Sequence, residues 1–212
     1  MYLFTRRTRL DGGHGRAGVE WAIGMCERVN RSTDLDVQLW SVAYSPAFGS
    51  ISWTAFLPDL VALEAAGDKL AADDGYIESA NRGAELTIGG IDDSLLELVH
   101  GAPDPNANPQ YVSVVQAVCA AGSIVKGMTV GVEFAQRAEA ITGRSTMFVR
   151  SVTGPYAGVA WITGYSDAAE LEAAQNALAA DADWLTFLDA RIAGTYIEDV
   201  ASTQTAFWRK MA

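Results

Sequence analysis

Two short stretches of this chain read almost alike: Gly18-Val19-Glu20-Trp21-Ala22 and Gly131-Val132-Glu133-Phe134-Ala135. The same triplet follows each of them, as Arg31-Ser32-Thr33 and as Arg144-Ser145-Thr146. Both matches have the same offset, 131 − 18 = 113 residues. An internal match of this kind indicates that one structural unit occurs twice in the chain.

A second pair of matching segments follows in the same order. Trp53 to Asp73 aligns with Trp161 to Asp181 at an offset of 161 − 53 = 108 residues. Both segments contain the tetrapeptide Leu-Glu-Ala-Ala, and both end in Leu-Ala-Ala-Asp. Because the matches are collinear and the offset changes only across loops, the chain is predicted to be a tandem duplication.

Each copy predicts the order strand, helix, strand, strand, helix, strand. Runs rich in β-branched and aromatic residues indicate strands, and apolar residues at helical spacing indicate helices. Asp59 and Asp167 are predicted to cap the second helices, since a short carboxylate accepts the free amide protons of a first turn. The bounds predicted for the first copy are Tyr2–Arg9, Gly15–Asn30, Val37–Tyr44, Ser50–Leu57, Leu60–Asn81 and Ser94–Val99. Those for the second are Tyr111–Val118, Gly127–Thr142, Met147–Thr153, Val159–Tyr165, Ala168–Asp189 and Val200–Arg209.

This order is the ferredoxin-like βαββαβ motif, so the predicted fold class is α+β with two tandem ferredoxin-like repeats. We expect the first repeat in residues 1–101 and the second in residues 110–212. Residues 102–109 contain three prolines without apolar periodicity and are predicted to be a linker. A four-stranded sheet with helices on one face leaves its other face exposed unless a second sheet covers it.

Each half resembles the dimeric α+β barrel superfamily, at its NIPSNAP-like and antibiotic biosynthesis monooxygenase-like end. The resemblance rests on the order of elements and on residues 158–167, GVAWITGYSD, which lead into a helix. It implies two antiparallel sheets that form an α+β barrel within one chain, helices outside, and a pocket between a sheet and its helices. The fusion would close the barrel without a second chain, so any homodimer would pair whole barrels.

Composition argues against several partners. The net charge of −11 and the pI near 4.5 oppose binding to nucleic acid or to an anionic membrane surface. No apolar run approaches the roughly twenty residues that span a bilayer. Two cysteines provide neither a disulfide framework nor a zinc motif. We therefore expect a cytoplasmic protein with a small-molecule partner.

Five residues are candidates for ligand binding. Arg6 and Arg150 fall mid-strand, where a buried cation needs an acidic partner or a ligand anion. Trp53 and Trp161 occupy matching positions in the third strands and could stack on an aromatic ligand or simply fill the core. His14 lies in the Gly-rich turn before the first helix and could reach a ligand or remain solvated. No residue is assigned a catalytic role.

Cofactors are not expected. The haem-degrading relatives use a histidine on the second helix, and neither 60–81 nor 168–189 contains one. Phosphate-binding glycine motifs and metal-ligand spacings are missing from the sequence as well. The resemblance implies a protein that binds a small hydrophobic or aromatic molecule, with cofactor-independent monooxygenation or isomerisation as the chemistry. The alternative is a non-enzymatic ligand-binding or structural barrel protein.

Overall fold

The structure is a computed structural model that describes residues 1–199 and 201–212. It divides into two compact units, residues 1–95 with 209–212 and residues 96–208. The elements of the first repeat are β1 (Tyr2–Leu10), α1 (Gly15–Ser32), β2 (Gln38–Ala43), β3 (Ser50–Leu57), α2 (Leu60–Ala71), α3 (Asp74–Leu86) and β4 (Thr87–His100). Those of the second are β5 (Tyr111–Val118), α4 (Ile124–Thr142), β6 (Thr146–Ser151), β7 (Gly158–Tyr165), α5 (Ala168–Ala180), α6 (Ala182–Ile192) and β8 (Gln204–Lys210).

The strands follow the ferredoxin-like order in each repeat, β4-β1-β3-β2 and β8-β5-β7-β6. Hydrogen bonds join all eight strands into a closed antiparallel barrel. The predicted fold class, α+β with two ferredoxin-like repeats that form a barrel in one chain, is confirmed. Residues 102–109 contain neither helix nor strand, and the domain bounds stated above stay a prediction.

The central strand pairs are in matching register. Tyr2 lies opposite Leu57 in the β1–β3 pair, and Tyr111 lies opposite Tyr165 in the β5–β7 pair. Directly opposite residues point to the same face of a sheet. Arg6 is therefore on the face of Trp53, and Val115 is in the same position beside Trp161.

The second helix of each repeat was predicted as one long helix, and this is wrong: each is a pair of shorter helices. Asp73 and Asp181 end one helix and cap the next, because their carboxylates accept the backbone N–H groups of Tyr76 and Trp184 at 3.1 and 2.7 Å. The two aspartates correspond in the repeat alignment, so the break was inherited by both copies. Asp59 and Asp167 cap α2 and α5 as predicted.

The last strands begin at different distances from the helices before them. β4 starts at Thr87, directly after α3 and well before the predicted Ser94. In the second repeat α6 ends at Ile192 and β8 begins at Gln204; we call the described residues between them, 193–199 and 201–203, the connection 193–203. The predicted start of that strand, Val200, lies outside the described residues. The second repeat therefore has a connection that the first one lacks.

Each unit has its own apolar core between its sheet and its helices. In the first, Ala22 and Cys26 of α1 pack with Leu39, Ile51 and Trp53 of the sheet. Burial raises the pKa of the Cys26 thiol to about 11.

No helix in the part of the chain that the structure describes is long and apolar enough to cross a membrane.

The second core depends on a close approach between α4 and β6. Its buried residues include Val130, Ala135, Phe148 and Trp161. A Cβ atom on Gly131 would collide with the ring of Phe148, so only glycine permits this helix-to-sheet distance. Phe148 is fully buried and has little room to yield.

We expect Gly131→Ala to lower the free energy of unfolding by about 2 kcal/mol, because the added methyl overpacks the second core. Gly24→Ala is the control, since Gly24 is on the exposed face of α1 and its Cβ would meet nothing within 4 Å. That change should stabilise by about 0.5–1 kcal/mol through helix propensity. Urea unfolding of both variants measures the difference, and a stable Gly131→Ala variant would contradict the close approach.

Candidate functional site

Arg6 of β1 is bound within the first unit. Its Nε and Nη2 donate to the two carboxylate oxygens of Asp93 at 2.8 and 2.7 Å, and its Nη1 donates to the Tyr76 hydroxyl at 3.2 Å. The guanidinium carbon also lies 5.8 Å from the ring centroid of Phe4. The hydrogen bonds to Asp93 raise the pKa of Arg6, against the opposing effect of burial. The anion that Arg6 needs is thus supplied by β4.

The other two polar candidates lie near the surface. Arg150 of β6 forms an ion pair with Glu97 of β4, and half of its side chain is exposed. His14 is exposed at the end of the 3₁₀ turn Gly12–His14, just before α1. Of the five candidates, Arg6, His14 and Trp53 belong to the first unit, and Arg150 and Trp161 belong to the second.

The two tryptophans have corresponding positions and different contacts. The Trp53 Nε1 donates to the carbonyl of Ala22 at 3.1 Å, and the Trp161 Nε1 donates to that of Gly131 at 2.7 Å. Ala22 corresponds to Ala135 in the repeat alignment, and 135 − 131 = 4. In the repeat alignment, the acceptor of Trp161 therefore lies about one helical turn before the residue that corresponds to the acceptor of Trp53.

A cavity of about 740 Å³ lies in the second unit, between the sheet and its own helices. Its lining comes from β5, β7, α4, α6 and the connection 193–203. The lining residues are Val115, Ala117, Phe134, Trp161, Trp184, Leu188, Asp189, Ile192, Ala193, Tyr196, Ile197, Glu198, Asp199 and Thr203. Of the five sequence candidates, Trp161 alone is in this lining.

Aromatic rings form much of the cavity wall. Phe134 of α4 is tilted over Trp161 with ring centroids 4.4 Å apart, and it meets Trp184 of α6 edge-on at 4.7 Å. Tyr196 meets Trp161 edge-on at 5.5 Å. Its hydroxyl donates to the carbonyl of Gly127 at 2.6 Å, and burial raises its pKa. Tyr196 therefore stays protonated and ties the connection 193–203 to α4.

The charged residues in the lining are all acidic. Asp189 is an exposed residue of α6, and Glu198 and Asp199 belong to the connection. Glu198 accepts the backbone N–H of Gly194 at 3.4 Å, and Asp199 accepts the hydroxyl of Ser202 at 3.4 Å. The exposed edge of an otherwise apolar cavity is thus negatively charged.

The corresponding space in the first unit is filled by its own side chains. Arg6 occupies the position that corresponds to the smaller Val115 of the second unit. Its guanidinium donates a hydrogen bond to Tyr76, which corresponds to Trp184. Trp21, the counterpart of Phe134, contacts Trp53 edge-on at 5.5 Å and packs so closely on Gly83 of α3 that a Cβ there would collide with it. The two repeats therefore differ at corresponding positions. In the first, side chains fill the space between sheet and helices, and we call it the filled repeat; in the second, this space is the cavity, and we call it the open repeat.

The sequence contained part of this signal. The pairs Trp21–Phe134 and Tyr76–Trp184 are aromatic in both repeats and can be read from the alignment. The connection 193–203, by contrast, overlaps the strand predicted for Val200–Arg209. Among residues 1–199 and 201–212, no group of three or more His, Cys, Asp or Glu side chains is arranged to hold a metal ion.

No family model and no curated protein sequence matches the chain. Solved structures do. A protein provisionally assigned as a monooxygenase, from Fusobacterium nucleatum subsp. nucleatum ATCC 25586, has a TM-score of 0.70 over 100% of this chain and 92% of its own, at 6% identity. An anthrone oxidase-like protein also has a TM-score of 0.70, over 100% and 91% of the two chains, at 10% identity. A provisional chlorite dismutase, TA0507, has a TM-score of 0.56 over 100% and 96%, at 11% identity.

The chain has the dimeric α+β barrel fold. The resemblance expected from the sequence is confirmed at the level of fold, and at these identities the likeness extends no further. Both repeats have the same order of strands and helices, although only the second has the cavity described above between its sheet and its helices.

Tyr196→Phe should lower the free energy of unfolding by about 1 kcal/mol, because it removes the hydroxyl that donates to the buried carbonyl of Gly127. Tyr156→Phe is the matched control: this tyrosine is 86% exposed, and its loss should have almost no effect. Thermal unfolding compares the two variants. Equal midpoints would show that the Tyr196 hydrogen bond does not hold the connection in place.

Proposed function

We propose that the second unit binds a flat, mostly apolar aromatic molecule in the cavity beside Trp161. The observation that carries the proposal is the combination of volume and lining, about 740 Å³ with rings on several sides. Small-molecule sites typically have volumes of about 300–1,000 Å³, apolar walls and a few polar groups. The cavity fits this description, and it has room for a molecule of two or three fused rings.

Ring stacking would provide the main attraction. Phe134, Trp161 and Trp184 are in the cavity lining, and an added aromatic ring gains about 0.5–1.5 kcal/mol per favourable pair beyond the burial of its surface. Ile192 and Leu188 supply aliphatic contacts from α6. A ligand of this kind would complete a core that α4, α6 and the sheet leave open.

Filling the cavity with a protein side chain should abolish binding. We expect Leu188→Trp to weaken the affinity for naphthalenemethanol, a neutral aromatic probe, by at least about tenfold, equivalent to about 1.4 kcal/mol. Leu185→Trp places the same residue on the same helix at a position that is 47% exposed and outside the lining. Isothermal titration calorimetry measures both affinities. Unchanged binding to Leu188→Trp would place the site elsewhere.

Oxygenation of the bound molecule is the second candidate function. It is favoured by the acidic side chains at the edge of the cavity, which could accept a proton from a bound carbon acid. The resulting carbanion would reduce molecular oxygen by one electron, and recombination would form the new C–O bond. The carboxylic acid returns its proton to the peroxide anion, and the hydroperoxide loses water to leave a ketone, so that CH₂ + O₂ gives C=O + H₂O without a cofactor. The fold shared with a provisional monooxygenase and an anthrone oxidase-like protein is compatible with this chemistry.

Anthrone tests this candidate directly, because its methylene group is acidic and its product, anthraquinone, absorbs distinctively. We expect the protein to consume oxygen and anthrone in equal amounts, faster than the Leu188→Trp variant and faster than buffer alone. An oxygen electrode and absorbance spectroscopy follow the two reactants. If wild-type protein binds anthrone but leaves its oxidation rate at that of buffer, the chain is a ligand-binding protein and the oxygenase proposal fails.

A further inference from the structure

The group that occupies the space between sheet and helices in the first unit indicates which kind of ligand could bind in the cavity of the second. In the first unit a cationic group, the Arg6 guanidinium, occupies the space between sheet and helices. It lies beside the ring of Phe4, contacts the hydroxyl of Tyr76 and is neutralised by Asp93. A cation is stable in this partly buried position because an anion and aromatic rings surround it.

The second unit keeps part of these surroundings without the cation: Trp184 corresponds to Tyr76, whereas Ser113 takes the place of Phe4. Val115 replaces Arg6, while Trp161, Trp184 and Phe134 retain the aromatic walls. Acidic side chains are present too, although they come from α6 and the connection 193–203 instead of the last strand. The position of the Arg6 side chain is therefore vacant in a cavity that carries negative charge at its edge.

The flanking helices carry three basic residues, Lys126 and Arg137 on α4 and Arg191 on α6. Arg137 of α4 and Arg191 of α6 both donate to the carboxylate of Glu133, at 3.2 and 3.0 Å. Arg137 also stacks over the ring of Phe187, 4.6 Å from its centroid. None of these residues is in the cavity lining, whose charged members are Asp189, Glu198 and Asp199.

We infer that the ligand of the second unit is an aromatic molecule with a cationic substituent, an ammonium or guanidinium group. This inference rests on the proposed function, since it assigns a substrate class to the same cavity. The aromatic body lies against Trp161 and Phe134, and the cation lies at the edge beside Asp189. A carboxylate in that position meets like charge and loses its hydration, so aromatic acids bind weakly.

Three probes with one ring system separate the charge from the shape: naphthylmethylamine, naphthalenemethanol and naphthoate. At low salt we expect the amine to bind about tenfold more tightly than the acid, with the alcohol between them, because partly exposed charge pairs each contribute modestly. The ratio of amine to acid affinity should fall in 0.5 M sodium chloride, where salt screens the carboxylates. Isothermal titration calorimetry gives all three affinities.

One substitution at the edge of the cavity tests the origin of the preference. Asp189→Asn keeps the shape of the side chain and removes its charge, and it should lower the amine-to-acid ratio about threefold. Glu172→Gln, on the exposed face of α5 and outside the lining, removes the same net charge and should leave the ratio unchanged. Equal effects of the two variants would assign the preference to the overall charge of the protein.

The possible failures are distinguishable. If no probe binds, or if Leu188→Trp binds the alcohol as wild type does, the proposed cavity site itself is wrong. If the alcohol binds in the cavity while the acid matches or exceeds the amine, the cavity site stands and the assignment of a cationic ligand is overturned.

Discussion

A buried indole N–H must find an acceptor inside the protein, and both repeats satisfy it with a backbone carbonyl of their first helix. The bonds from Trp53 to Ala22 and from Trp161 to Gly131 fix each helix on its sheet. Because the acceptor in the second repeat lies about one turn before the residue aligned with Ala22, Trp21 of α1 and Phe134 of α4 contact their tryptophans differently. The close contact of Gly131 with Phe148 and the cavity beside Phe134 both occur in this second repeat.

Much of the fold could be predicted because the duplication displays each element twice. Matching tryptophans located the third strands, and Asp59 and Asp167 located the starts of α2 and α5. The break at Asp73 and Asp181 was missed because apolar periodicity continues across it. An aspartate within such a run is compatible with an exposed helical position or with a cap, and only the extended backbone at these residues distinguishes the two.

The site was harder to predict for a physical reason. A cavity forms where side chains are too small to fill the available space. It therefore depends on differences in side-chain volume between corresponding residues of the two repeats. The replacement of Arg6 by Val115 becomes informative only once the register of the strand pairs is known. Likewise, the partner of Arg6 is Asp93, from a part of β4 that the sequence did not identify as strand. Trp161 could be named in advance because the repeat marks it, whereas Tyr196 lies in a connection with no counterpart.

The connection 193–203 places the whole cavity within one repeat, and this has an evolutionary consequence. A well-filled interior favours stability, while an open one sacrifices packing, and a single domain must compromise between them. A duplicated chain can assign the two demands to different copies. In the first repeat, Trp21 and the Arg6–Asp93 ion pair fill the space between sheet and helices, so this copy can favour stability. The second can then change its ligand through a few side chains of α6 and the connection.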